Sequence, residues 1–338
     1  MKRILITGGA GFIGHHFVEH ILKNTDWEIV ILDKLTYASS GFDRLRDVQC
    51  FDEQRVLILT TDFSHEIPEG IIQEIQDVDY VVHMGAETHV DRSISDPVPF
   101  IYSNVMGTVQ MLELARKLKK MKKFIYFSTD EVFGPAPVGI NYREGDRHNP
   151  GNPYAASKSS AESVCISYAN TFNLPVIITN TMNVFGARQN VEKFIPMSIR
   201  RVYLGENITI HADKTLTMSG SRFYIHARNA SAALLFILEN VEEYLSSKDC
   251  CLGKFNIVGQ KELTNLDVAL KIAEIIGKQL FHTLVDFHSS RPGHDLRYAL
   301  DGGKLERLGF RYPKTFMESF KENVLWTLLP ENRKWINL

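Results

Sequence analysis

The feature that most limits what this chain can fold into is the run Gly8-Gly9-Ala10-Gly11-Phe12-Ile13-Gly14. It lies between the apolar residues Ile4-Leu5-Ile6 and a helical pattern over His15 to Lys23. A strand, a glycine turn, a helix and a second apolar run from Glu28 to Leu32, closed by Asp33, read as a βαβ unit. Gly8 permits the tight turn, Gly11 lets backbone approach a pyrophosphate at the helix N-terminus, and Gly14 allows close helix packing. Asp33, nineteen positions after Gly14, would accept hydrogen bonds from an adenosine ribose and repel a 2′-phosphate. The segment therefore predicts a site for NAD rather than NADP.

The alternation continues with Val56 to Leu59, followed by Asp62, and with Val78 to His83, leading into Met84-Gly85-Ala86-Glu87-Thr88. A helix is expected from about Pro97 to Lys120, and Lys123 to Phe127 and Pro175 to Thr179 read as further buried strands. This pattern specifies an α/β fold on a doubly wound parallel sheet. Asp62 suits either the adenine amino group or a helix cap. Gly85 and Ala86 are small where a cofactor would cross the sheet. The loop His89-Val90-Asp91-Arg92-Ser93-Ile94 suits either a packed histidine or a substrate-side cluster. Beyond residue 186 the alternation weakens, so residues 1–186 are assigned to the dinucleotide-binding domain and 187–338 mainly to a smaller C-terminal α/β substrate domain. A return to the first domain is expected over about 222–245, carried by a helix from Asn229 to Asn240.

The strand ending at Phe127 should present Ser128, Thr129, Asp130 and Glu131 at its carboxyl end, where open α/β sheets bind ligands. Two adjacent carboxylates are costly to bury unless they work in different protonation states. Tyr154 and Lys158 are spaced i,i+4, on one face of a helix beginning near Pro153. An ammonium beside a phenol lowers the phenol's pKa and makes it a usable base. Lys193, Arg222, Arg291, His294 and Arg297, scattered over the C-terminal loops, fit either a diphosphate ligand or surface solubility.

A formal net charge of −2 on 338 residues gives no reason to expect nucleic acid or an anionic membrane as partner. The basic run Lys117 to Lys123 reads as the solvated end of a helix. Cys50, Cys165, Cys250 and Cys251 have no metal-ligand spacing and make no disulfide framework, so no metal and a cytoplasmic, reducing setting are expected. The apolar stretch after Met1-Lys2-Arg3 is too short for a signal peptide or a membrane span.

With these residues the chain resembles the extended short-chain dehydrogenases, and among them the nucleotide-sugar 4,6-dehydratases. Thr7 to Gly14 and Tyr154-x-x-x-Lys158 are general markers of the group. Asp33 to Ala38, His89 to Ile94, Thr129-Asp-Glu-Val-Phe-Gly134, Glu192 to Pro196 and Arg291 to Asp295 are narrower ones. The Asp130-Glu131 pair is the most diagnostic, since epimerases and decarboxylases of this type usually lack it. The resemblance implies a Rossmann-type fold, bound NAD, and conversion of an NDP-hexose, expected to be dTDP-glucose, to its 4-keto-6-deoxy form.

It also implies roles for the residues. Tyr154 with Lys158 deprotonates the C4 hydroxyl as its hydride leaves, Thr129 binds the C4 oxygen, Glu131 removes the C5 proton, and Asp130 protonates the departing C6 hydroxyl. Phe12, Ile13, Asp33, Lys34, Thr36, Asp62, Phe63, Ala86 and Ser103, with Tyr154 and Lys158, look like cofactor contacts beside Gly8, Gly11 and Gly14. Thr88, Asn183, Lys193, Arg222, Asn256 and Arg291 look like contacts to sugar and diphosphate. A homodimer through helices near 104–120 and 154–170 is implied as well. The chain departs from the family pattern in a shorter interval between Thr129 and Tyr154, in Gly85 for a more usual alanine, and in Ser221 to His226 for an Arg-Asp-Trp sequence. The alternatives are an NDP-sugar 4-epimerase or UDP-glucuronate decarboxylase on the same scaffold, or a non-catalytic protein that uses NAD binding as a signal.

Overall fold

A computed structural model describes residues 1–246, 248–249, 251–286 and 296–338. The strands in chain order are β1 (Arg3–Thr7), β2 (Glu28–Asp33), β3 (Val56–Thr60), β4 (Tyr80–His83), β5 (Lys123–Thr129), β6 (Val176–Thr181), β7 (Val184–Phe185), β8 (Ile208–Ala212), β9 (Ser221–Phe223), β10 (Ile225–His226), β11 (Lys254–Ile257), β12 (Glu262–Thr264) and β13 (His282–Asp286). Seven of them make one sheet, in the order β11-β6-β5-β4-β1-β2-β3, and every pairing in it is parallel. The order reverses between β1 and β4, the crevice where doubly wound sheets bind dinucleotides.

The apolar runs form strands because both faces of the sheet are covered. Ile4, Ile6, Ile29, Ile31, Ile125 and Ile177 face one core, shared with Phe17, Val18 and Leu234. Their neighbours Leu5, Val30, Leu32, Phe124, Tyr126, Val176 and Ile178 face the other, with Met111, Leu112 and Ala161. The helix Phe12–Asn24 starts at the glycine turn as expected, and Pro153–Phe172 starts at its predicted proline, with Asn152 as N-cap accepting from Ala155 N at 2.8 Å.

Four expectations change. The helix expected from Pro97 to Lys120 is instead Val98–Phe100, a π-helical stretch Ile101–Met106, and Gly107–Lys117. Within that stretch Ser103 and Asn104 are buried. Residues 90–95, read as loop, form a helix capped by His89. Lys123, read within a solvated run, is buried in β5, where its ammonium donates to Leu238 O at 2.7 Å and meets Glu242 at 3.1 Å. Finally, the return to the large sheet runs past 245. The helix Ala227–Asn240 packs against Phe12–Asn24, and β11 then pairs with β6 as an edge strand.

The remaining C-terminal elements have their own core. Helices Phe194–Leu204, Asn265–Ile276 and Phe316–Leu328, the latter two opened by capping boxes at Thr264 and Thr315, enclose Ile199, Ile210, Ile272 and Phe320 beside the parallel pair β8 and β13.

Candidate active site

The glycine turn opens at the β1–β4 crevice. Gly8 has φ +72°, and a Cβ there would stand 2.7 Å from Gly85 Cα, while one on Gly14 would stand 2.1 Å from Gly8 O. Only glycine lets these backbones meet. Gly11 caps the helix Phe12–Asn24 without a side-chain bond, which leaves the first amides of that helix for an anion. Asp33, buried at the end of β2, accepts from Ala10 N at 3.0 Å and Leu35 N at 2.8 Å. Burial raises its pKa against these bonds.

A cavity here is lined by Gly8, Gly11, Phe12, Ile13, Gly14, Asp33, Lys34, Thr36, Phe63, Ala86 and Ser103, together with Thr88 and Lys193. The turn, the uncapped helix and the carboxylate suit a dinucleotide, so the residues fit NAD. Asp62 is absent from this lining. Its carboxylate instead accepts from Ser64 N and Oγ at 2.9 and 2.7 Å, closing a local turn, and pairs with Lys34 at 3.6 Å; the following helix, Glu69–Ile75, is capped by Pro68, so Asp62 is not the expected helix cap either.

A second cavity of about 400 Å³ shares Phe12, Ile13, Ala86, Thr88 and Phe127 with the first. It holds Thr129, Asp130, Glu131, Tyr154 and Lys158, so β5 and the helix Pro153–Phe172 bring the expected catalytic group together. Asp130 is buried, with Oδ1 accepting from Thr129 Oγ1 at 3.0 Å and Oδ2 unpartnered among the described residues. Burial and then the charge of Glu131 push Asp130 up to about 7, against a pull from Arg222. Glu131 is only half-buried and accepts from Asn152 Nδ2 at 3.1 Å. The adjacent carboxylates thus differ: Asp130 holds its proton towards neutral pH, and Glu131 has a solvated, hydrogen-bonded setting.

The phenol of Tyr154 does not follow the simple expectation. Burial raises its pKa and Glu131 adds to this, while Thr129 opposes them. Lys158 does not relieve it, because its ammonium is turned to Phe127 O at 2.8 Å and stands 4.2 Å from the Tyr126 ring centre. Burial lowers Lys158 to about 7, opposed by Glu162. Glu162, fully buried one helical turn after Lys158, accepts from Ser128 Oγ at 2.6 Å and Asn180 Nδ2 at 2.7 Å and meets Lys254 at 3.3 Å. Sequence reading missed this support, although the i,i+4 spacing of Lys158 and Glu162 was available.

At the outer end, Thr88, Asn183, Lys193 and Arg222 line the second cavity with His89 and Asp91. Asn256 does not. It is buried in β11, with Nδ2 donating to Tyr142 O and Asp301 O at 3.1 Å each. Arg291 and His294 lie outside the described residues. Arg297 is engaged elsewhere: its guanidinium donates to Glu262 at 2.7 and 3.0 Å and to Pro137 O, Ile140 O and Asn141, holding the short loop after Gly134. His211, Tyr224, Asn265 and Tyr298 also line the cavity. They come from β8, the link between β9 and β10, the start of the helix Asn265–Ile276 and the loop at Tyr298, and only Tyr224, within the unusual Ser221 to His226 segment, carried a sequence signal.

Residues 4–253 match the model of the NAD dependent epimerase/dehydratase family, and the chain belongs to that family. Among curated relatives, a dTDP-glucose 4,6-dehydratase of Salmonella typhimurium is 34% identical over 358 residues, covering 99% of this chain and 94% of its own. The low-salt glycan biosynthesis protein Agl12 of Haloferax volcanii is 36% identical over 329 residues, covering 95% and 97%. Among solved structures, DesIV, a dTDP-glucose 4,6-dehydratase from Streptomyces venezuelae with NAD bound, matches with a TM-score of 0.83 at 32% identity over 99% of each chain.

Proposed function

We infer that the chain is an NAD-dependent nucleotide-sugar 4,6-dehydratase, and we assign dTDP-glucose as its substrate. The observation that carries this reading is the Asp130-Glu131 pair, in one cavity with Thr129, Tyr154 and Lys158, with Asp130 buried and held towards its protonated form and Glu131 half-buried and bonded to Asn152. A 4-epimerase or a uronate decarboxylase uses a Tyr-Lys pair and NAD, but has no task for an acid and a base side by side.

When bound, NAD supplies the acceptor for the C4 hydride and returns that hydride to C6. Tyr154, as phenolate once Lys158 turns from Phe127 O towards it, takes the proton of the C4 hydroxyl, and Thr129 holds the C4 oxygen. The ketone acidifies C5, and Glu131 removes that proton. Asp130 gives its proton to the departing C6 hydroxyl, and water leaves. A proton then returns to C5. Lys193 and Arg222 face the cavity from the C-terminal half, which we assign as the substrate domain, and suit a diphosphate. Reaction in D2O tests the route: the product should carry deuterium at C5 and none at C6. Recovery of a product without deuterium at carbon and with no water lost would favour an epimerase.

The helical face over Val98, Ile101, Tyr102 and Met106 is exposed and apolar, with Tyr102 at 59%; it runs directly into the helix Gly107–Lys117, and we assign it to a homodimer interface that this helix and Pro153–Phe172 extend. Cys50 and Cys165 are free thiols, and among the described residues no helix is long and apolar enough to cross a membrane. A cytoplasmic location fits both.

A further inference from the structure

Among the described residues Arg44 is the largest side chain that the fold buries completely. Its guanidinium donates to neutral acceptors: Nε to Arg188 O at 3.0 Å, Nη1 to Ala38 O at 2.7 Å, and Nη2 to Asn190 Oδ1. The charges of Asp33 and Asp43 reach it, but burial outweighs them and lowers its pKa to about 10; a cation so placed is expensive to desolvate and is a poor device for stability alone. Ala38 and Asn190 both line the cofactor cavity, one in the wall that follows β2 and the other in the wall that follows β7. One side chain therefore ties the two walls together. Asp47, on the same short helix Asp43–Asp47, accepts from Arg188 Nε at 2.6 Å and from Lys334 at 3.0 Å. Residue 188 is gripped twice, by its carbonyl through Arg44 and by its guanidinium through Asp47.

We propose that Arg44 is a latch that keeps NAD in its cavity between turnovers by pinning the 188–190 segment to the wall at Ala38. The proposal rests on the NAD-dependent reading above, in which the same cofactor is reduced and reoxidised within each cycle and has no reason to leave. Arg44 is a positioning residue; it is not among the side chains that line the cavity.

The test compares wild type, Arg44→Met and Asp47→Asn as full chains. NAD content after purification and the rate at which bound NAD exchanges with labelled NAD are both measured. Wild type should retain its NAD, and Arg44→Met should exchange it at least about tenfold faster, the effect of losing a charged hydrogen bond. Asp47→Asn should shift the rate in the same direction. With saturating NAD added, kcat and the sugar KM of Arg44→Met should return to wild-type values, which general damage to the site would not allow. An exchange rate in Arg44→Met equal to that of wild type overturns the latch. Should Arg44→Met fail to fold by near-ultraviolet circular dichroism, Asp47→Asn decides, and an unchanged rate there overturns it equally. Wild-type protein that neither carries nor takes up NAD would remove the cofactor reading, and the latch with it.

Discussion

A carboxyl group that keeps its proton near neutral pH burdens the fold whenever it ionises, and Asp130 is buried where that proton can serve the departing hydroxyl. Its folded pKa of about 7 lies above the ordinary 3.8. The stability it contributes is therefore complete below pH 3.8 and is lost as pH rises through about 7. Asp130→Asn should accordingly melt on the order of 5 °C above wild type at pH 8, with the gap closing towards pH 4, as read by calorimetry. The same sign applies to catalysis: dehydration should fall on the alkaline side as Asp130 loses its proton. Glu131→Gln should lower kcat by about 10²–10⁴-fold while NAD content stays at the wild-type level. Near-normal turnover would take the base role from Glu131. That Asp130, Glu131, Tyr154 and Lys158 meet in one cavity was legible in the chain from their types and spacing. The orientation of Lys158 was not, because the carbonyl it meets belongs to a different element, at Phe127.

At the level of elements, the end of β4 explains a departure from the family pattern. A Cβ on Gly85 would stand 2.6 Å from Cε1 and Cζ of Phe63, and one on Gly107 would stand 2.9 Å from the same ring. The ring sits between two glycines and lines the cofactor cavity. Gly85→Ala should cost about 1–3 kcal/mol in chemical denaturation and weaken NAD retention. Adding Phe63→Leu should recover most of the loss, and a double variant no better than the single one would contradict this packing account. Strands β1, β2, β4, β5 and β6 were readable because apolar runs buried on both faces have one simple pattern, and the half-buried edge strand β3 kept the same apolar run in Val56 to Leu59. β11 was not, since Lys254 and Asn256 fill half of its four positions and are buried only because Glu162, Tyr142 and Asp301 receive them. The π-helical turn at Ile101–Met106 was hidden for a similar reason: Asn104 bonds Glu87 and Ser157, partners remote in sequence.

For the whole molecule, the glycine turn, Asp33 and the alternation of elements were enough to anticipate the sheet and its cofactor crevice. The second half was harder to read. Its strands, helix ends and loops assemble one wall of the second cavity from His211, Arg222, Tyr224, Asn265 and Tyr298, and no periodicity links those positions. Assembly can be tested at this scale: Tyr102→Glu should convert a dimer to a monomer by light scattering, and an unchanged mass would exclude that face as the interface. The most direct test of the central claim is mass spectrometry of the products after the pure protein is incubated with dTDP-glucose, and in parallel with UDP-glucose, CDP-glucose and GDP-mannose. dTDP-glucose should lose one water and give a 4-keto-6-deoxy sugar; recovery of all four sugars at unchanged mass would contradict a dehydratase.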